Sequence, residues 1–515
     1  MSPLPVERDL GDRLRRELAQ RAPQGKRSRW WDKPDLFAQE AIKWDKGDKL
    51  ASYQAGILAA IPREQRVCVR SLHTAGKTCT AALAVIWFAV TREAAGQDWK
   101  VITTAGAWRQ LEQYLWPEIR LWARKLDWDV ISKAGWRRGP FSESEEMLKL
   151  SLGLRHGAAT AVASSDANYI EGAHAKHLFF VFDESKAIHP DIFDAAEGAL
   201  ASPNAMALAI STPGPPQGRF YKIHQREVGY EDWHCRHITL AEVIKAGRTT
   251  KEWAEKRARQ WGEESAIYQN RVLGNFASSD EDSVIPLAWI EEANERWLEL
   301  VDVLGRTEDG KVDFSALTMT DLGVDVARSG SDKTVLAPIY AGPAGEPVVG
   351  ELRDFVKQST MATAGNVVAM LSQNPGVRSV IDVIGLGAGT YDRVKEQGYI
   401  NSVPFNASNK CFRRDHTREF GFVNMRSAAW WNLRELLDPA YGPTLALPPH
   451  DELIGDLCAP KVDVTSGGNY VVESKDDVKK RLKRSTDFAD AVIQGCLWRP
   501  KKRRHAKMVF GGSAH

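Results

Sequence analysis

Between residues 50 and 276, four short apolar runs at 67–69, 101–103, 178–182 and 207–210 alternate with longer stretches of helical periodicity. Each helix must carry the chain back across a face of the sheet before the next strand begins. Strands spaced in this way therefore line up mainly parallel, with both faces covered. At 515 residues the chain is too long for one hydrophobic core, and a second domain is expected. The acidic passage Ala277-Ser278-Ser279-Asp280-Glu281-Asp282-Ser283 and the turn-rich Glu308-Asp309-Gly310-Lys311 interrupt the pattern. It restarts with strands at 322–326, 334–339 and 348–351, a helix near 362–371 and a strand at 379–383, a mixed order unlike the first half. The expected organisation is an arm or small subdomain over 1–45, an α/β domain over 46–276, a junction over 277–316, a second α/β domain over 317–498 and a basic tail over 499–515.

Composition excludes several classes. The 43% hydrophobic and 26% charged fractions are those of a globular chain, and a net charge of +2 argues neither for nor against nucleic acid. The cysteines at 68, 79, 235, 411, 458 and 496 are widely spaced, which excludes a zinc ribbon and points to a reducing compartment. The longest apolar run, 81–90, is too short to span a bilayer, and residues 1–16 lack the apolar core of a signal peptide, so no membrane association is expected.

The run at 67–69 leads into Ser71-Leu72-His73-Thr74-Ala75-Gly76-Lys77-Thr78 and then into a helical stretch. A phosphate cradle needs inward backbone N–H groups, a helix N-terminus, a lysine and a hydroxyl for Mg²⁺. Gly76, Lys77 and Thr78 supply the last of these, with Ser71, His73 and Ala75 in the loop before them. Ser71 stands where the G-x-x-x-x-G-K-[ST] pattern has its first glycine, and a G-K-T tripeptide alone is often chance. The apolar strand Leu178-Phe179-Phe180-Val181-Phe182 ends in Asp183-Glu184, however. One carboxylate to support Mg²⁺ and one to polarise a water is what ATP hydrolysis requires, whereas the bland alternative is a solvated Asp-Glu turn. The run at 207–210 ends in Ser211-Thr212-Pro213-Gly214, whose hydroxyls suit sensing of a γ-phosphate, although alone it reads as a polar turn. Tyr53-Gln54 precedes a helical stretch and suits adenine by stacking and amide bonding.

In the second half Asp325 interrupts an apolar strand, Asp382 ends another, and Asp487 and Asp490 lie one turn apart at the start of an apolar helix. A carboxylate in an apolar strand is costly unless paired or metal-bound. Asp325, Asp382 and Asp490, drawn from separate segments, suit a two-metal site. Singly, each reads better as a cap, turn or ion-pair residue, and Asp487 reads as a helix N-cap that also holds a metal-bound water.

From about residue 44 to 498 this order resembles the large terminase subunits of tailed bacteriophages. The resemblance rests on Tyr53-Gln54, the loop 71–78, Phe179 to Glu184, Ser211-Thr212-Pro213, Gly274-Asn275-Phe276 and Val284-Ile285-Pro286. Its most specific part runs from Val472-Glu473-Ser474-Lys475-Asp476-Asp477 to Thr486-Asp487-Phe488-Ala489-Asp490-Ala491. It implies an N-terminal P-loop (ASCE-type) ATPase domain and a C-terminal RNase H-like nuclease domain. Lys77 and Thr78 then handle phosphate and Mg²⁺, Asp183 supports that metal, and Glu184 is the catalytic carboxylate. Asp325, Asp382 and Asp490 would bind Mg²⁺ or Mn²⁺, and the basic run 479–484 would face the DNA backbone. Ser211 and Thr212 would couple hydrolysis to motion. The implied partners are double-stranded DNA, a portal protein and a small terminase subunit, with a ring of copies on the procapsid in the host cytoplasm and no place in the mature virion. The loop departs from the pattern at His73, where many relatives carry arginine; Arg70 is the nearest substitute. Two rivals remain, an ATP-dependent helicase–nuclease of DNA repair and a non-enzymatic DNA-binding assembly protein.

Overall fold

The structure, a computed structural model, describes residues 27–499 apart from 137–139, 142–145, 165, 278–282, 328–331 and 443. The first 26 residues of the expected arm, most of the acidic passage and the basic tail from 500 lie outside the described residues. The chain divides into two compact units, Met1–Ser279 and Asp280–His515.

The sheet of the first unit is built from β1 (Arg66–Ser71), β2 (Trp99–Ala105), β3 (Ser151–Gly153), β4 (Gly157–Ala161), β5 (His177–Asp183), β6 (Ala205–Ser211) and β7 (His234–Ile238). The four expected runs lie in β1, β2, β5 and β6. The strand order is β3-β4-β2-β5-β6-β1-β7, parallel throughout except for β3. Every residue of β5 is buried, as a strand covered on both faces must be. Phe179, Phe180 and Phe182 each contribute on the order of 2 kcal/mol by leaving water. Helix α1 (Ser52–Glu64) precedes β1, and α2 (Lys77–Ala94) follows the loop. Residues before α1 share this core: Trp87 Nε1 donates to Trp30 O at 2.7 Å, and Phe37 is fully buried. β6 sits between β1, which delivers the phosphate loop, and β5, which delivers Asp183, the strand order of an ASCE-type P-loop ATPase.

The second unit has a mixed sheet of β8 (Thr318–Asp325), β9 (Lys333–Ala341), β10 (Pro347–Val349), β11 (Arg353–Val356), β12 (Arg378–Asp382) and β13 (Val403–Phe405). The order β10-β9-β8-β12-β13, antiparallel up to β8 and parallel from there, is that of an RNase H-like fold. β11 pairs with β9 beside β10. A small sheet joins β14 (Gly421–Phe422), β15 (Val462–Val464) and β16 (Asn469–Val472) in the order β14-β16-β15. The helices that matter for the site are α3 (Leu287–Leu304), α4 (Thr360–Gln373), α5 (Met425–Leu437), α6 (Asp451–Cys458), α7 (Lys475–Leu482) and α8 (Asp487–Gly495). Helix α3 falls inside the expected junction yet packs into this unit: Asn294 Nδ2 donates to Leu447 O at 2.9 Å and Trp297 Nε1 to Val349 O at 2.7 Å.

Gly323 in β8 decides how α8 sits on the sheet. A Cβ there would meet Ala491 O at 1.9 Å and Gly495 N at 2.5 Å. The absent side chain lets helix backbone rest on strand backbone. This brings the first turn of α8 to the C-terminal end of β8. Among the described residues no helix is long and apolar enough to cross a membrane.

Candidate active sites

In the first unit the strand ends converge where open α/β sheets bind ligands, beyond the C-termini of β1, β5 and β6. Gly76 takes a left-handed conformation, φ 69°, just before α2 begins at Lys77. That turn aims the helix N-terminus at the loop, the position that favours phosphate. Lys77 is buried, and its Nζ donates to Leu72 O at 3.2 Å, so the ammonium rests on a loop carbonyl. Tyr53 and Gln54 lie beneath the loop. The Tyr53 hydroxyl donates to Ala75 O at 3.0 Å, and Gln54 Nε2 donates to Gly76 O at 3.2 Å and to Thr80 Oγ1 at 3.1 Å. The pair read as an adenine holder therefore braces the loop here, with its polar atoms committed to backbone and Thr80.

Burial, then repulsion from Glu184, pushes the Asp183 carboxyl up to about 7. Glu184 has φ 44° and ψ 49°, a left-handed backbone that a non-glycine residue holds only when its surroundings enforce it. Its Oε2 accepts from Ser211 Oγ at 2.9 Å and from Thr212 Oγ1 at 3.4 Å. The hydroxyls at the tip of β6 thus reach the carboxylate expected to orient water. Arg70 does not turn toward the phosphate end of the loop. Its guanidinium is committed to Gly274 O and Asn275 Oδ1 and lies over the Phe276 ring. The segment expected at the domain junction therefore packs against the start of the loop, and a Cβ on Gly274 would meet Ser71 C at 3.0 Å. His73 donates its N–H to Arg271 O at 3.0 Å and feels the charges of Arg271, Lys77 and Lys186. Nearby cations thus act on the position where many members of the resembled family carry arginine.

In the second unit Asp325 at the end of β8 and Asp487 and Asp490 in the first turn of α8 meet at one ammonium. Lys475 Nζ lies 3.1 Å from Asp325 Oδ2, 3.3 Å from Asp487 Oδ1 and 3.0 Å from Asp490 Oδ2. Asp382 ends the neighbouring β12, and its Oδ1 accepts the Ile384 N–H at 2.9 Å. Asp490 also accepts from Arg426 Nη1 on Oδ1 and from Thr486 Oγ1 on Oδ2, both at 3.0 Å. Burial raises Asp325 well above the usual carboxylate range, and burial likewise raises Asp382. Burial opposes ionisation of Asp490 too, but Lys475 and Arg426 outweigh it and hold this carboxyl low. For Lys475, burial disfavours the charge, and Asp325, Asp490 and Asp487 more than restore it.

The N-cap expected at Asp487 is corrected by the structure. Thr486 stands at the cap position, and Asp487 is already helical. Its Oδ2 accepts the Lys333 N–H at 2.7 Å, while its Oδ1 faces Lys475. Asp456 of α6 serves the helix end instead: its Oδ2 accepts the Phe488 and Ala489 N–H groups at 3.1 and 3.4 Å, and its Oδ1 pairs with Arg484. The basic run is also largely spent within the fold, with Lys479 on Asp332, Lys480 on Asp477 and Arg481 on Glu473. Lys475 was visible only as part of a signature, and Arg426 carried no local signal at all.

Among the described residues no three His, Cys, Asp or Glu side chains stand ready around a common metal position. Three carboxylates do meet, but around the Lys475 ammonium. The donors are all carboxylate oxygens, the type that hard divalent cations take, and the point they enclose already stabilises positive charge. The residues therefore fit such an ion on condition that Lys475 withdraws.

No family model matches the chain. It is similar to the probable terminase large subunit of Enterobacteria phage P7, 24% identical over 330 residues. The match covers 61% of this chain, and the chain spans 61% of that relative's length. Among solved structures it is similar to the large terminase of bacteriophage HK97 (TM-score 0.36, 14% identity, 91% of this chain and 99% of that one). It is also similar to the nuclease domain of the large terminase subunit of bacterial virus Sf6 (TM-score 0.34, 15% identity, 42% of this chain and 100% of that one). The resemblance to large terminase subunits that the motifs carry is thus borne out by a curated relative of that kind.

Proposed function

We propose that this chain works as a terminase large subunit, whose first unit hydrolyses ATP to drive double-stranded DNA and whose second unit cuts DNA with divalent metal. The reading is carried by one observation: a single chain holds both Glu184, gripped by Ser211 and Thr212 beside a phosphate loop, and three aspartates that meet at Lys475 beyond β8, with Asp382 ending the neighbouring β12. In the first site Lys77 and the loop N–H groups take the phosphates, and Thr78 and Asp183 offer oxygen donors to Mg²⁺, which when bound spreads phosphate charge. Glu184 orients the attacking water through Oε1, because its Oε2 is held by the two hydroxyls.

In the second site Asp325, Asp382 and Asp490 would hold Mg²⁺ or Mn²⁺, which would supply activation of water and charge stabilisation at the leaving oxygen. Asp487, tied to the Lys333 N–H, supports the others from one turn away. The portal protein, the small subunit, a ring of copies and the host cytoplasm belong to the same proposal and rest on the resemblance. A helicase–nuclease is less well supported, because the second described unit is an RNase H-like sheet rather than a second ATPase lobe. The test is incubation with plasmid DNA and Mg²⁺ or Mn²⁺, with and without ATP. Cleavage without ATP, together with phosphate release from ATP, is expected. A chain that cuts with neither metal and releases no phosphate is not such an enzyme, and unwinding of a forked duplex would favour the helicase.

A further inference from the structure

Arg426, the second residue of α5, is a buried cation that the nuclease ligand set does not include. Its Nε donates to Glu473 O and its Nη1 to Asp490 Oδ1, each at 3.0 Å. Its guanidinium leans on the Trp430 ring, with Cζ 5.5 Å from the centroid, and its own backbone N–H donates to Ala407 O at 3.0 Å. The side chain is 10% exposed, and Nη2 is buried with no hydrogen-bond partner among the described residues. Its charge also favours the ionised form of Asp382.

Two cations therefore share Asp490, and they differ in freedom. Lys475 is 36% exposed on a flexible stem and holds Oδ2, whereas Arg426 is pinned by a carbonyl, a carboxylate and an indole face. A divalent ion can displace the first without disturbing the second. An orphaned buried donor costs about 1–3 kcal/mol, and Arg426 leaves its Nη2 without a partner among the described residues.

We propose that Arg426 is a positioning residue of the nuclease: by keeping Oδ1 of Asp490 it leaves Oδ2, which also accepts from Thr486 Oγ1, as the one oxygen open to metal once Lys475 withdraws, and the Glu473–Arg426–Asp490 chain sets its direction. This rests on the nuclease reading above. A partner that orients a metal ligand typically controls roughly 10–100-fold in metal affinity.

The test is Mn²⁺ binding to the full chain without nucleotide, followed by electron paramagnetic resonance and calorimetry, alongside plasmid cleavage and duplex binding. Asp490→Asn identifies the sites that belong to this centre. Arg426→Gln is expected to weaken that binding roughly 10–100-fold and to raise the Mn²⁺ needed for cleavage in parallel, with duplex affinity unchanged. Arg426→Lys keeps the charge but cannot bridge Glu473 O and Asp490, and is expected to lose several-fold. In the Asp490→Asn background Arg426→Gln should cost no further metal affinity. A merely structural arginine would lower the melting temperature and leave the Mn²⁺ midpoint in place in both variants, and that result overturns the proposal. If Arg426→Gln does not fold, Arg426→Lys decides on the same midpoint. A parent chain that binds no Mn²⁺ at this centre removes the nuclease reading and this inference together.

Discussion

The two candidate sites handle charge in opposite ways. At the phosphate loop the groups of opposite sign are kept apart: Lys77 rests on the Leu72 carbonyl, and Glu184 is held by neutral hydroxyls. At the aspartate cluster they are in contact, with Lys475 bridging three carboxylates and Arg426 holding one of them again. On the proposed function, the first site is preorganised for a ligand that brings both phosphate and cation. The second supplies its own counter-cations, and on the same reading a metal takes the place of a side chain.

The largest test of this contrast is to remove one chemistry and watch the other. Glu184→Gln is expected to lower ATP turnover by about 10²–10⁴-fold, and Lys77→Ala to abolish it, with plasmid cleavage unchanged. Loss of cleavage in both folded variants would show that the two sites are not separable.

Asp490→Asn comes next. It should remove cleavage, spare ATP hydrolysis, and cost roughly 1–3 kcal/mol of stability, because Arg426 and Lys475 lose a buried counter-charge. Cleavage at the parent rate by the Asp490→Asn chain would exclude Asp490 as a ligand.

Lys475→Ala isolates the self-neutralised character of the second site. Three carboxylates are left facing one another, so in chelator the melting temperature should fall by several degrees, and Mn²⁺ should restore it by mass action. The Mn²⁺-induced rise should exceed that of the parent chain in differential scanning fluorimetry; an equal rise would mean that the lysine does not compete with metal.

Ser211→Ala is expected to show the smallest effect, roughly tenfold in ATP turnover with no change in cleavage, since Thr212 still reaches Glu184. Parent-like turnover in steady-state assays would reduce Ser211 to a strand-end residue.

How far each region could be read from sequence follows the same divide. Four of the seven strands of the first unit were legible because buried parallel strands are continuous apolar runs, and Glu184, Ser211 and Thr212 follow directly from strand ends; β3, β4 and β7, mostly part-buried, carry no such run. In the second unit the aspartates were legible as carboxylates where apolar residues belong. Their partners were not. Lys475 reaches Asp325 from 150 positions away, and Arg426 reaches Asp490 from 64. No local pattern announces such pairs. Asp487 was misread for the converse reason: its local pattern resembles a cap, but Asp456, brought in from α6, already takes the N–H groups of that turn. Tyr53 and Gln54 were legible as a pair, but their hydrogen bonds to the loop were not, since which face of α1 meets it depends on packing.

The contact at Gly323 bears on how the second site keeps its dimensions. Most distances in a protein core are set by side chains, and they drift by tenths of an ångström as neighbours repack. Here strand meets helix main chain to main chain, with Gly323 against Ala491 and Gly495. The separation of Asp325 from Asp490 is therefore gauged by main-chain contact, like a machined stop. Substitutions elsewhere in the core can loosen the domain without opening that gap, while one methyl group at position 323 would force it apart.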